Sequence, residues 1–166
     1  ERAFELAKVQ TEAENRYLQV SGKAASIYQA MLNELIRGKI EKDKKLWKYG
    51  ISGDYPILSI SIKEYNDYYV IDEVMKAYEY YLSKNININI VIITYPNIYA
   101  DIFENIVKEG MLKYLNTSTG IFILNDLKRE ERLLIEARSK LIIDADNCGT
   151  LELQFENGNF INKNSK

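Results

Sequence analysis

Histidine is absent from this sequence of 166 residues, and cysteine occurs once, at Cys148. Without histidine there is no Ser-His or Cys-His nucleophile pair, no imidazole general base and no imidazole ligand for zinc. Any chemistry would therefore fall to carboxylates, lysines or tyrosines. One cysteine cannot form a disulfide within the chain, which indicates a reducing compartment, so we expect a cytoplasmic location.

Long apolar runs and basic clusters are scarce as well. No apolar stretch approaches the roughly 20 residues that a membrane span requires, so we expect no membrane contact by this segment. The formal net charge is −2, and the only dense group of lysines is the KDKK run at 42–45. This charge balance predicts no nucleic-acid partner. The length and the hydrophobic content of 46% suit one globular domain.

Apolar periodicity predicts two helices in the N-terminal part, residues 1–45. They cover residues 4–20 and 24–36, and a lysine-rich connector follows them. Ser21 is placed to cap the start of the second helix, and Gly38 is placed to end it. The chain begins at Glu1, within the first helical pattern, and we therefore expect a fragment of a longer protein.

Strand and helix patterns alternate over residues 46–150. Strands are predicted at 57–62, 86–94, 120–124 and 141–144, and helices at 66–84, 96–114 and 128–139. Connections of this length require crossovers, so the sheet should be mainly parallel. We predict the α/β class, a three-layer sandwich with a four-stranded, mainly parallel sheet, preceded by the two N-terminal helices. The tail ENGNFINKNSK, residues 156–166, lacks periodicity, and we predict that residues 151–166 form an exit linker to a missing downstream domain.

Acidic residues follow several of the predicted strands. Ligands of open α/β sheets collect at the carboxyl ends of the strands, so Asp67, Asp126, Asp144 and Asp146 are candidates for a magnesium site or an acid pair. Helix capping by Asp67 and Asp126 and a turn at 144–147 explain the same residues, and we favour this interpretation. No glycine-rich phosphate turn is present. We therefore predict no catalytic, cofactor-binding or metal-binding residue, and an inert Cys148.

The segment LWKYGISGDYPIL, residues 46–58, is unusual for the approach to a plain strand. Its glycines suit tight turns, and Ser52 or Asp54 can bond to the backbone of its own turn. We expect Trp47 and Tyr49 to cover the open end of the sheet. These features favour an architectural plug, with a binding loop as the alternative.

This segment resembles the L-W-x-x-G-I-S-G-D-x-P-I-L signature of glycoside hydrolase family 94, formerly glycosyltransferase family 36. The family includes cyclic β-1,2-glucan synthases, β-1,2-oligoglucan phosphorylases and cellobiose-phosphorylase-like proteins. Looser similarity extends to Val9-Gln10, to Gly120-Ile121-Phe122 and to the stretch that starts at Gly149-Thr150-Leu151. The residues that agree with the signature are Leu46, Trp47, Gly50, Ile51, Ser52, Gly53, Asp54, Pro56, Ile57 and Leu58.

The resemblance implies an internal α/β module between β-sandwich domains, upstream of an (α/α)₆ barrel. In such proteins the barrel holds the general acid and the site for inorganic phosphate, so the module itself is non-catalytic. Its partners would be the neighbouring domains of the same polypeptide, with β-1,2-glucan as a candidate ligand. The alternative is a carbohydrate-binding module in which Trp47, Tyr49, Ser52 and Asp54 contact the glycan or a neighbouring domain.

Overall fold

The centre of the molecule is a sheet of four parallel strands in the order β3-β2-β1-β4. The computed structural model describes residues 21–145 and 149–158. The sheet confirms the predicted α/β class and the parallel direction of the strands. The strands are β1 (Ile57–Ser61), β2 (Asn89–Thr94), β3 (Ile121–Asn125) and β4 (Leu141–Asp144).

Helices cover both faces of the sheet. Short 3₁₀ helices also occur, at Lys44–Tyr49, Tyr65–Asp67, Pro96–Ile98 and Leu112–Tyr114. The α-helices are α1 (Gly22–Leu35), α2 (Tyr69–Ser83), α3 (Tyr99–Lys108), α4 (Arg129–Arg138) and α5 (Leu151–Glu156). The first predicted N-terminal helix, residues 4–20, lies outside the described residues.

One face of the sheet packs against what we call the first layer, formed by α1, α2, α3 and α5. The strands present aliphatic side chains to it because alternate residues of a strand point to the same face. The fully buried members include Met31 of α1, Ile71 and Tyr78 of α2, and Ile102 of α3, together with Ile60 of β1. This is the larger of the two cores.

The opposite face packs against what we call the second layer, formed by the segment 44–54 and α4. Its core is smaller and contains Ile57, Val91, Ile93 and Phe122 from the strands, Ile135 from α4, and Leu46 and Ile51 from the segment. A sheet covered on both faces by helices forms three layers, as the sequence predicts.

Two predicted helix caps are wrong. The Asp67 carboxylate accepts from the backbone N–H groups of Lys63 and Glu64, at 3.1 and 3.3 Å, and so closes a 3₁₀ turn before α2. Asp126 has a φ of +59° and lies ahead of α4, whose start is capped when Glu131 accepts from the N–H of Lys128 at 3.1 Å. In both loops, residues of the chain lie between the acid and the first residue of the α-helix that it was predicted to cap, Tyr69 for Asp67 and Arg129 for Asp126.

The predicted N-cap of α1 is confirmed. Ser21 accepts from the backbone N–H of Ala24 at 3.0 Å, as expected for an N-cap. The helix ends at Leu35, and Gly38 follows with a φ of +68°.

The predicted exit linker at 151–166 differs from the structure in its first part, which forms α5. Thr150 caps this helix by accepting from the N–H of Leu153 at 3.2 Å, and Leu151 is buried. The N–H of Leu151 also donates to Glu73 of α2 at 2.8 Å. The Thr150 cap, the buried Leu151 side chain and the hydrogen bond to Glu73 together hold this helix on the first layer. Residues 146–148 and 159–166 lie outside the described residues.

Candidate functional site

The LWKYGISGD segment folds into a 3₁₀ helix and a tight turn that cover the second core. Asp43 starts the helix by accepting from the N–H of Lys45 at 3.0 Å, and Gly50 ends it in the left-handed region. The N–H of Ile51 then donates back to the carbonyl of Leu46 at 3.4 Å. Leu46 and Ile51 are both fully buried, so the turn drives two aliphatic side chains onto the sheet.

At Gly50, the backbone conformation and the space around the residue both favour glycine over any residue with a side chain. Its φ of +87° lies in a region that L-residues adopt at a cost. A Cβ at this position would lie 3.2 Å from a ring carbon of Phe122, on β3. The glycine therefore serves both the backbone conformation and the close approach of the turn to the sheet.

Trp47 lies on the outside of the segment. Its side chain is 59% exposed, and its indole N–H donates to the carbonyl of Ser52 at 3.2 Å. The ammonium of Lys44 stands 5.9 Å from the ring centre. Of the two aromatic residues expected to cover the sheet, Trp47 is therefore mostly exposed, whereas Tyr49 packs partly buried against the second core. Leu46 and Ile51 provide the fully buried cover of this face.

Ser52 and Asp54 bond within the segment and to its nearest neighbour. The Ser52 hydroxyl accepts from the N–H of Asp54 at 3.2 Å, as turn chemistry predicts. The Asp54 carboxylate pairs with Lys42 at 3.2 Å. These two polar side chains hold the turn that precedes β1.

Tyr49 points away from this turn, towards the first residues of α4. Its hydroxyl donates to the carboxylate of Glu131, and Lys48 pairs with the same carboxylate at 2.9 Å. Glu131 also accepts from the N–H of Lys128. The structure thus divides the four predicted site residues, with Tyr49 bound to α4 and Trp47 on the outer surface.

These donors fix the charge of Glu131. The hydrogen bond from Tyr49, followed by the bond from Lys48, lowers the pKa of Glu131 to about 2. The same contact raises the pKa of Lys48, and burial raises the pKa of the Tyr49 hydroxyl. Sequence reasoning did not select Glu131, although a glutamate three residues after the start of a helix is a recognisable capping signal.

A cleft of about 470 Å³ lies between the 3₁₀ helix and α4. One wall carries lysines and Tyr49, and the other carries carboxylates and one leucine. The lining residues are Lys44, Lys45, Lys48, Tyr49, Glu130, Glu131 and Leu134.

Of the four candidate acids, Asp67, Asp126 and Asp144 do not form a common site, and Asp146 lies outside the described residues. Asp126 follows β3 and Asp144 ends β4, and these are the outermost strands on opposite sides. Three strand spacings of about 4.8 Å each separate them. Asp67 is buried and bound to its own turn. Within residues 21–145 and 149–158, no group of three histidine, cysteine or acidic side chains is arranged to hold a metal ion.

The sequence matches no protein-family model, and a search of curated proteins finds no match. The fold therefore defines the class, a three-layer α/β domain, and the resemblance to glycoside hydrolase family 94 rests on the motif residues themselves. None of the described helices is long and apolar enough to span a membrane.

Proposed function

We propose that this chain is a non-catalytic α/β module of a β-1,2-glucan-active glycoside phosphorylase or cyclic β-1,2-glucan synthase. The module packs between neighbouring domains of one polypeptide and braces them, in the cytoplasm. The observation that supports the proposal is the role of the LWKYGISGD segment, which resembles the family signature and is built into the fold. Leu46 and Ile51 fill the second core, and Gly50 lets the turn approach Phe122.

The polar residues of the motif support the same proposal. A hydrolytic or phosphorolytic site of the inverting type needs a carboxylic acid that protonates the leaving group, facing a space that holds the sugar. Asp54 is paired with Lys42, and Glu131, with a pKa of about 2, remains ionised at neutral pH. Neither carboxylate suits the general acid. The acid and the phosphate site belong, on this proposal, to the barrel of the parent enzyme.

Calorimetric titration and an activity assay of the purified chain test the proposal. The chain is mixed with sophorose-type oligosaccharides and inorganic phosphate, and release of glucose 1-phosphate or of shorter oligosaccharides is followed. We expect no turnover. Turnover by the chain alone, retained after exhaustive purification, would refute a non-catalytic role.

The gene around this segment provides an independent test. We expect the reading frame to continue on both sides, with β-rich sequence upstream and a long helical barrel downstream. A start codon directly before Glu1 and a stop codon directly after Lys166 would contradict the interdomain role.

A second candidate function, a carbohydrate-binding module, is favoured by the exposure of Trp47. An exposed indole ring can lie against the C–H face of a sugar. Since Trp47 is the only tryptophan of the chain, its fluorescence reports on such binding directly. A saturable change of the emission with β-1,2-gluco-oligosaccharides, absent with maltose-type controls, would support this function. An unchanged emission at millimolar ligand would remove it.

A further inference from the structure

The cleft between the Lys44–Tyr49 helix and α4 has walls that are fixed in place. Leu46 anchors the 3₁₀ helix in the second core, and Asp43 and Gly50 define its two ends. On the far side, Ile135 anchors α4 in the same core. The side chains that line the cleft therefore project from two rigid elements and not from a loose loop.

The geometry of the 3₁₀ helix decides which lysines share a side. Residues three apart are eclipsed in such a helix, so Lys45 and Lys48 lie one above the other. Lys44 shares its side with Trp47, and its ammonium stands 5.9 Å from that ring. All three lysines contribute to the lining of the cleft.

The charges of the cleft do not cancel within it. Glu131 is compensated by Lys48, by the Tyr49 hydroxyl and by the N–H of Lys128. Lys44 and Lys45 form no ion pair with another described residue. Their acidic neighbours are Glu130, in the lining, and Asp43, which accepts from the N–H of Lys45 and pairs with Arg138 at 3.3 Å. The lining thus carries three lysines and two glutamates, a surplus of one positive charge on a chain whose formal net charge is −2.

The cleft also offers apolar contact. Leu134 and the ring of Tyr49 lie in its lining, and its volume of about 470 Å³ is more than ten times the ~30 Å³ that one water occupies in the liquid. An occupant therefore needs carboxylates for the lysines and an aliphatic group for the leucine and the tyrosine ring.

We propose that this cleft is the docking site for an acidic, leucine-containing segment of a neighbouring domain. The inference rests on the proposed interdomain function and names the surface by which it is exerted. Charge complementarity selects the partner, because carboxylates of the segment can form ion pairs with Lys44 and Lys45. The charge of Glu131 is already paired with Lys48.

The proposal is tested with a blocked peptide that alternates glutamate and leucine, followed by two-dimensional NMR of the whole chain. We expect saturable shift changes at residues 44–49 and 130–134. Binding should weaken at least tenfold between 50 and 500 mM salt, because screening shortens the reach of the lysine charges. The same peptide with lysine in place of glutamate is expected to leave these resonances unchanged.

The double variant K44E/K45E is expected to weaken peptide binding at least tenfold. K84E/K113E serves as the matched control, because it changes the net charge equally and its lysines lie away from the lining of the cleft, directly after α2 and in the 3₁₀ helix Leu112–Tyr114. Binding that is absent in the wild type, or that falls equally in both variants, would overturn the docking site. Turnover of β-1,2-glucan by the chain would instead overturn the proposed function and leave the peptide result intact.

Discussion

The two layers hold the sheet in different ways. The first layer covers one face with four helices and an almost wholly apolar core. The second layer covers the other face with one helix and a short 3₁₀ segment, whose smaller core is supplemented by polar ties. Tyr49 and Lys48 bind Glu131, and Arg138 pairs with Glu41 at 2.9 Å and with Asp43 at 3.3 Å.

The magnitudes indicate what each kind of contact contributes. Exposed ion pairs typically contribute about 0–1 kcal/mol, whereas burial of an isoleucine or leucine side chain contributes about 1.5–3 kcal/mol. Burial of Leu46 and Ile51 therefore stabilises the second layer. The hydrogen bonds and ion pairs fix the position of the segment 44–54 against α4. The face beneath this layer also buries the Ser59 hydroxyl and the Asn89 amide, which have no hydrogen-bond partner among the described residues. The second layer should thus be the less stable of the two.

Matched truncations of Ile71 and Ile51 measure this difference most directly. Both side chains are fully buried, one in each layer. We expect Ile71→Ala to lower the free energy of unfolding by about 3–5 kcal/mol and Ile51→Ala by about 2–3 kcal/mol, because the smaller core can collapse further into the cavity. Urea unfolding followed by circular dichroism gives both values. A larger loss for Ile51→Ala would reverse the order of the layers.

The backbone of the motif is tested by Gly50→Ala. A positive φ and the approach of a new Cβ to Phe122 should lower the free energy of unfolding by about 1–2 kcal/mol. Gly22→Ala is the control, since Gly22 lies in α1 with nothing within 4 Å of a new Cβ. There the substitution should be neutral or stabilise by up to about 1 kcal/mol. Equal effects at both positions would contradict the role given to Gly50.

Tyr49→Phe tests the tie between the segment and α4. Loss of the hydroxyl removes the largest cause of the low pKa of Glu131, so that this pKa should rise from about 2 towards the ordinary value of 4.5. NMR titration of the Glu131 side-chain carboxyl measures the pKa in both proteins. Tyr95→Phe is a suitable control, because that hydroxyl bonds to Arg132 and not to Glu131. An unchanged pKa in Tyr49→Phe would show that the hydroxyl does not act on Glu131.

The two layers should also differ in how their stability depends on pH, because the pKa of Glu109 is raised and that of Glu131 is lowered. Burial and the neighbouring Asp72 raise the pKa of Glu109, at the end of α3, to about 7 from its ordinary value of 4.5. A raised carboxyl pKa contributes stability that is complete below 4.5 and is lost as the pH rises through about 7. The low pKa of Glu131 acts in the opposite sense: its contribution is complete above the ordinary value of 4.5 and is lost as the pH falls from there through about 2.

Glu109→Gln should therefore flatten the decline in stability between pH 4.5 and 7, without affecting the acid side. Thermal unfolding at a series of pH values measures this. A decline that persists unchanged in the variant would assign it to other groups.

The sheet could be predicted because its signals are local. Strands of isoleucine and valine, separated by helices that force crossovers, determine both the class and the parallel direction. The bounds of β4 agree with the prediction, and β1 ends one residue earlier than predicted. The predicted helix at 96–114 is shorter in the structure, because α3 ends at Lys108 and Gly110 adopts a φ of +75°. Gly110 was therefore the feature of the sequence that could have predicted the end of this helix.

The site could be predicted only in part, because its contacts are not local. Turn chemistry at Ser52 follows from the sequence, and the structure confirms it. Tyr49 and Glu131 are 82 residues apart, and no spacing rule connects them. Burial of Leu46 and Ile51 in place of Trp47 depends on how the 3₁₀ helix is rotated against the sheet. That rotation is set by the sheet itself and not by the segment.

The central claim is that LWKYGISGD builds the second layer and does not bind sugar. Two-dimensional NMR spectra of the labelled chain, recorded with increasing β-1,2-gluco-oligosaccharide, test it most directly. The single indole N–H and the amides of residues 46–56 are the reporters. We expect their resonances to stay unchanged up to high millimolar ligand. Saturable shifts centred on Trp47 and Tyr49 would contradict the claim and make the segment a carbohydrate site.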